Sequence, residues 1–354
     1  MDVAQTLSGL RRFSRHNLGE STHIVRGMAR AAALTTHNTL FNRFIFGSRT
    51  AIPLAEDERR ELSRRMLALF ESDWQNVEDG IYPASLAQDF SWWRLLRDYP
   101  RLVWDAPKVR RRVRANAYDD MPAEANGYPT YYQRNFHFQT DGYLGLDSAA
   151  MYETQVEFLF GGTANVMRRQ VLPPVVRALG NRDRAHLKIL DVACGTGPVL
   201  HMLASALPGA RLYGVDLSPH YVAYARQALK DVVPLSLLVE NAEQLPFIDG
   251  YFDAVTNVFL MHELPPKVRS RVLGEVARVL APGGVFVLAD SIQLGDVPAF
   301  ARHLEHFPQQ FHEPFYRQYL RDDLAGRLLD AGFEIVDTQL HFLTKVVTAR
   351  RLQA

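Results

Sequence analysis

Two glycines in ILDVACGTGPVL, residues 189–200, open a loop straight after an apolar run, and Asp191 stands inside that run. Glycine permits backbone angles closed to other residues and removes the side chain that would keep a ligand at a distance. Gly195 and Gly197 therefore mark a backbone that a nucleotide-like molecule can approach closely. Asp191 can accept a hydrogen bond from an ammonium group, directly or through water. A second acid, Asp216 in LYGVDLSPHYVAYAR, follows Gly195 by 21 residues, and a carboxylate there can accept from both hydroxyls of a ribose. Taken alone, Asp216 also reads as a helix cap before Pro219. Loop plus downstream acid would equally describe a dinucleotide site, but that pattern is GxGxxG and Leu200 holds its third position. A pyrophosphate is the weaker reading.

A second group of residues could handle protons or a metal. His262, in VFLMHELPPK, can take a hydroxyl or phenol proton near neutral pH as a free imidazole, or it can pack against a ligand or cap the next helix. The stretch HLEHFPQQFHEPFYRQYL carries His303, His306, His312, Glu305, Glu313, Tyr316 and Tyr319. Two histidines at helical i, i+3 spacing with a distant third are the pattern of packing or surface residues more than of a metal site, so no metal is expected. Between Met121 and Tyr143 the chain is too rich in Tyr, Phe and His for a solvated linker. Tyr128, Tyr131, Tyr132, Phe136, His137, Phe138 and Tyr143 form either an aromatic wall around a ligand or a domain seam.

These residues need elements to hold them. Leu187–Ala193 reads as a short buried strand that feeds the glycine loop, and strand-like runs recur at 211–216, 235–240, 252–258 and 285–290. Helical patterns at 199–207, 220–230 and 267–280 separate them, which predicts a parallel sheet covered on both faces. A helix over 322–331, a stop at Gly332 and two β-like runs at 333–338 and 340–348 predict a closing hairpin. Upstream, apolar spacing predicts a helix over 54–79, and further helices are expected at 92–99 and 108–116, divided by Pro100 and Pro107.

Composition sets outer limits. The 354 residues, 47% of them hydrophobic, suffice for one large and one smaller domain, and the boundary is expected near residue 145: a helical and aromatic region over 1–145, an α/β domain over 146–354. Forty basic against 39 acidic residues leave a net charge of +1, so no global field draws the chain to nucleic acid or an anionic bilayer, and any such contact has to be local. Cys194 is the only cysteine, which excludes an intrachain disulfide and fits a reducing, cytoplasmic setting. No apolar run reaches the roughly 18 residues of a membrane-crossing helix. The stretch up to Phe46, with Arg11, Arg12, Arg15, Arg26 and Arg30 against Asp2 and Glu20, has the composition of a transit peptide and reads equally as a frayed or partner-bound amphipathic arm.

The motifs together resemble those of the class I S-adenosylmethionine-dependent methyltransferases, in which a strand ends in D/E-x-G-x-G-x-G and an acid follows on the second strand. DVACGTGPV carries the match with Ala193 in place of the first glycine. ENAEQLPFIDGYFDAV is similar to the family's adenine segment, and RVLAPGGVFVLAD to its helix, PGG turn and fifth strand. The resemblance covers residues 185–295, with weaker agreement to about 348. It implies an α/β Rossmann-like sheet of seven strands, the last antiparallel, with S-adenosyl-L-methionine as cofactor. Asp191, Ala193, Gly195, Gly197, Asp216, Leu217, Asn241, Ala242, Asn257 and Tyr152 are then the cofactor residues, with an amide at Asn241 where many relatives carry Asp. His262 is the candidate catalytic residue, since His262-Glu263 echoes the base pair of small-molecule O-methyltransferases; quinone-type relatives also carry His there, without a base role. Tyr132, Phe136, Phe138, Tyr143, His312, Tyr316 and Tyr319 are expected around a small, apolar or aromatic acceptor. No Asn/Asp-Pro-Pro-aromatic motif follows the fourth strand, which argues against a nucleic-acid substrate. A cofactor-binding protein without transferase activity is the alternative, and a homodimer stays open.

Overall fold

The computed structural model describes residues 18–46, 52–115, 117, 120–180 and 182–353. Its first half is helical: α1 (Leu18–Phe46), α2 (Glu56–Glu78), the single turn α3 (Ala84–Ala87), α4 (Trp92–Ala115), α5 (Leu146–Leu159), α6 (Ala164–Arg169) and α7 (Leu172–Leu179). Three acids in the first turn of α2 face the positive end of its dipole, and Glu58 accepts the Ala55 N–H at 2.6 Å. The α2 stripe Met66, Leu69 and Phe70 packs on Ile24, Met28 and Ala31 of α1. From Leu18 onward the basic N-terminal stretch is thus part of a core and not a frayed arm; Arg11, Arg12 and Arg15 lie outside the described residues.

The expected break between residues 99 and 108 is absent: α4 runs through Pro100 and Pro107. The two prolines are seven residues apart and both exposed. The carbonyls they leave without an intrahelical donor belong to Leu96 and Val103, also exposed positions that water reaches, so the helix survives what a buried proline would break.

A buried charge cluster ties these helices together. Asp73 of α2 is fully buried and accepts two N–H bonds of 2.7 Å from Arg169 of α6, one of 2.8 Å from the Tyr82 hydroxyl, and lies 3.0 Å from His23 Nε2 of α1. Burial alone would raise the Asp73 pKa; Arg169 and His23 overcome it and hold it at about 2.

The second half is a sheet of β1 (Lys188–Val192), β2 (Arg211–Asp216), β3 (Leu235–Val239), β4 (Phe252–Val258), β5 (Leu280–Ser291), β6 (Phe333–His341) and β7 (Thr344–Arg351), in the order β3-β2-β1-β4-β5-β7-β6. Only β7 runs antiparallel, pairing with β5 and β6. The helices α8 (Pro198–Ala206), α9 (Pro219–Ala228) and α10 (Pro266–Val279) cross between strands, and α11 (Ala301–Phe311), α12 (Tyr316–Tyr319) and α13 (Leu324–Asp330) follow β5. One apolar cluster joins the sheet to Leu200 and Leu203 of α8 and to Leu172 and Val175 of α7; another, on the opposite face, joins it to Val268, Val272 and Val276 of α10. Strand order reverses between β1 and β4, so the chain opens a crevice beyond their carboxyl ends.

Candidate active site

The glycine loop lies in that crevice. Gly197 has φ 88°, and a Cβ there would stand 2.5 Å from Leu229, so both backbone angle and packing demand glycine. Ala193 also sits at positive φ, 57°, a left-handed conformation that explains why a glycine is common at this place. The Gly195 N–H donates to Asp216 Oδ2 at 2.9 Å and the Ser218 N–H to Oδ1 at 2.8 Å. Each Asp216 oxygen keeps a lone pair for a ribose hydroxyl. Burial pushes the Asp216 carboxyl up to about 6 against those two N–H bonds. Asp191 is buried below the loop, accepts the Thr256 hydroxyl at 2.7 Å and is pushed up to about 7 by burial.

Ala193, Gly195, Asp216, Leu217, Asn241, Ala242 and Tyr152 line this pocket together. Asn241 Oδ1 accepts the Glu243 N–H at 2.9 Å, which turns the segment after β3 toward the cavity. Tyr132 and Tyr143, expected around the acceptor, stand on this pocket's wall instead, beside Tyr221. The rings of Tyr143 and Tyr221 meet edge to face at 5.6 Å, and those of Tyr152 and Tyr221 at 5.4 Å. Such rings can face a cation. Asn257 does not reach the cavity: fully buried, it donates to Val192 O at 2.7 Å and staples β4 to β1. A nucleoside bearing a cationic centre fits these residues.

A chamber lined by His137, His262, Glu263, Ser291, Glu313 and Tyr316 adjoins the pocket; Tyr152, Phe259 and Glu263 belong to both walls. His262 sits in a short 3-10 turn (Met261–Glu263), and Asp290 at the end of β5 orients it. Asp290 Oδ1 lies 2.6 Å from His262 Nδ1, and Oδ2 accepts the Met261 N–H at 2.7 Å. Burial alone would lower the His262 pKa; Asp290, Glu313 and Glu263 outweigh it and push it up to about 10. The free imidazole expected at neutral pH is therefore a protonated ring paired with a buried carboxylate. Glu263 Oε1 accepts the Tyr143 hydroxyl at 2.5 Å, and His137 Nδ1 lies 3.2 Å from Glu313. Burial raises the Glu313 carboxyl to about 7 against the pull of His137 and His262.

Of the other expected residues, Tyr316 lines the chamber and bonds Ser291 Oγ at 2.6 Å. Tyr319 lies behind it, fully buried, its hydroxyl donating to Ser291 O. Phe136 stacks on Tyr143 at 5.4 Å, behind the pocket wall, and Phe138 packs against His312 at 5.4 Å. His303 is 3.0 Å from Glu58 of α2, far in role from His312. An outer channel between α1, α4 and α5 is lined by Phe41, Leu102, Ala106, Val109 and Phe158, and shares His137, Tyr152, Val156 and Leu159 with the chamber. Tyr152 thus borders all three spaces.

Sequence reading missed Asp290, although, like Asp216, it is an acid at the carboxyl end of a parallel strand. It also missed the buried link from α5 to the glycine loop, in which Glu153 accepts the Thr196 hydroxyl and an Arg168 N–H, both at 2.6 Å. No local spacing announces that link.

A general methyltransferase-domain profile matches residues 189–284. An uncharacterized methyltransferase of Synechocystis sp. is 35% identical over 155 residues, 44% of this chain and 70% of the relative. A demethylmenaquinone methyltransferase of Geobacillus sp. is 32% identical over 189 residues, 47% of this chain and 77% of the relative. The fatty-acid O-methyltransferase of Mycolicibacterium smegmatis is 37% identical over 124 residues, and the match spans 35% of this chain and 44% of that protein. The cradle built by Gly195, Asp216 and Asn241 falls inside the matched span, and with that agreement of geometry and descent the chain belongs to the class I S-adenosylmethionine-dependent methyltransferases.

Proposed function

We propose that the protein transfers the cofactor's methyl group to a small, largely apolar acceptor held in the chamber of His262, and that it works in the cytoplasm. The observation that carries this reading is the shared wall: Tyr152, Phe259 and Glu263 face both the cofactor pocket and the chamber. The described helices within residues 1–145 act as the lid of the domain formed by residues 146–354.

S-adenosylmethionine supplies an activated methyl group, so the chain's residues have to align, shield and manage one proton. Asp216 holds the ribose end. Tyr132, Tyr143, Tyr152 and Tyr221 present ring faces to the cationic end and keep bulk water out. His262 is the base in its neutral form: Asp290 fixes Nδ1 as the protonated nitrogen, so that once the ring has lost its second proton Nε2 can take the acceptor's, and the share of rings in that form grows as pH rises toward 10. Apolar Val156, Leu159, Phe160, Leu304, Phe307 and Leu343 supply the rest of the chamber, which suits an apolar body with one polar end.

The test is titration calorimetry with S-adenosylmethionine and S-adenosylhomocysteine, followed by mass spectrometry of cell extract incubated with protein and methyl-labelled cofactor. Binding plus one labelled small, apolar molecule is the expected result. Label appearing in nucleic acid or protein would overturn the acceptor class.

A further inference from the structure

Helix α4 turns apolar side chains outward. Trp93, Leu96 and Trp104 are 74%, 68% and 82% exposed. At 3.6 residues per turn they share one strip with Pro100, opposite the buried Leu95, Leu102 and Ala106. Trp92 and Val103 widen the strip, and Phe44 of α1 lies beside its far end under the guanidinium of Arg110, 4.8 Å away. A patch of this kind is rare on a surface that meets only water.

The exposed charges of α4 along it have one sign, with one exposed acid from α5, Asp147, 4.0 Å from Arg101. Arg94, Arg97, Arg101, Lys108, Arg111 and Arg114 are all exposed, whereas the acids of the helix, Asp98 and Asp105, are buried. On the wheel, Arg94, Arg97, Arg101 and Lys108 form a row along one edge of the apolar strip. Asp98 pairs with Arg97 at 2.7 Å and with Arg101 at 3.4 Å; in a chain of net charge +1 the six exposed cations, set against Asp98 and Asp147, are still a local concentration of positive charge.

We propose that the outward face of α4 seats on the surface of an anionic lipid bilayer. Indole and leucine side chains enter the headgroup boundary, where tryptophan is favoured, and the long Arg and Lys stems lie along it with their charges at the phosphates. Each cation near such a surface adds about 1 kcal/mol of attraction. A nucleic-acid duplex would use the cations and leave the tryptophans in water. A second copy packed antiparallel on this face would set cation row against cation row. The outer channel opens alongside, where Phe41, Asn42 and Val109 are partly exposed between α1 and α4. An apolar acceptor could then pass from bilayer to chamber; that route rests on the acceptor reading above, whereas the seating does not.

The test is flotation of the full chain with two vesicle types, phosphatidylcholine alone and phosphatidylcholine with one quarter phosphatidylglycerol. Binding is expected at least tenfold tighter to the anionic vesicles, with a blue shift of tryptophan emission. It weakens when salt is raised from about 0.1 to about 1 M, which shortens the screening length from about 10 to about 3 Å. Trp93→Ser with Trp104→Ser should lower partitioning at least tenfold, and Lys108→Glu with Arg111→Glu should abolish the preference for anionic vesicles. These are exposed positions, and unchanged thermal melting with unchanged S-adenosylhomocysteine affinity identifies folded variants. Equal flotation of wild type and both variants, or none with either vesicle, overturns the proposal. So does a dimer in sedimentation that the tryptophan variant dissolves in the absence of lipid. Vesicle binding reads out without turnover, so its failure is separate from a failure of methyl transfer.

Discussion

Asp216 holds the glycine loop with both oxygens and still faces the pocket, so its removal acts twice. Asp216→Ala is expected to weaken S-adenosylmethionine binding about 10- to 100-fold, from hydrogen bonds to a charged group of ~1.5–3 kcal/mol; calorimetric affinity within threefold of wild type would refute the placement. The ionised carboxylate is the accepting form. Asp216 titrates near 6 and Asp191 near 7, both raised by burial, against about 3.9 in an unfolded chain. Between those limits the ligand-free folded protein binds more protons than the unfolded chain. Its stability from these groups therefore rises as pH falls from 7 to 4, while cofactor affinity falls over the same window. His262 runs the other way. Its pKa of about 10 means the contribution of its pair with Asp290 is complete below about 6.5 and is lost as pH rises through 10. With His262 as base, turnover climbs with pH well past neutrality, and Asp290→Asn moves that limb to lower pH while cofactor affinity stays. A pH-independent rate, or equal loss of rate and affinity in His262→Ala, would assign the ring to packing. Gly195 and Asp216 could be placed at one pocket from the sequence because strand-end acids and loop glycines obey local spacing, whereas Asp191 lies buried below the loop against Thr256. The protonation of His262 was not, because Asp290 and Glu313 reach it from separate elements.

The strands could be read from the sequence because each is a short apolar run between turn signals, and their alternation with helices dictates a parallel sheet. Helix α4 could not, because a helix tolerates an interior proline more readily where water can reach the freed carbonyl, and exposure is a tertiary fact. The same holds for the tie between α1, α2 and α6, whose members lie as far apart as His23 and Arg169. Asp73 is ionised there at the cost of its solvation, and Arg169 alone spans both of its oxygens. Asp73→Asn should therefore cost about 3–5 kcal/mol of stability by leaving the Arg169 charge buried without its partner. Denaturant unfolding checks this, and a loss below 1 kcal/mol would show that the helices are held by apolar packing alone. The depressed pKa of Asp73 places its own stabilisation above about pH 4, lost as pH falls through about 2.

At the scale of the whole molecule, the sheet supplies a crevice and the N-terminal helices turn it into a set of linked enclosures. The cofactor pocket is built from strand ends with Tyr132, Tyr143 and Tyr152 closing one side, the chamber from the segments after β4 and β5 with α5 across them, and the outer channel from α1, α4 and α5. Acceptor choice should therefore reside in the helices and cofactor choice in the sheet, and the two should separate on mutation. Val156 of α5 faces both chamber and channel and takes no part in the cofactor pocket. An indole there fills the passage between them. Val156→Trp is expected to leave cofactor affinity within twofold and to lower kcat/KM for acceptors long enough to enter the channel by at least tenfold, about 1.4 kcal/mol in transition-state binding. Acceptors confined to the chamber should lose far less. A uniform loss across acceptor lengths would mean that the channel is not on the acceptor's path and that α5 only roofs the site.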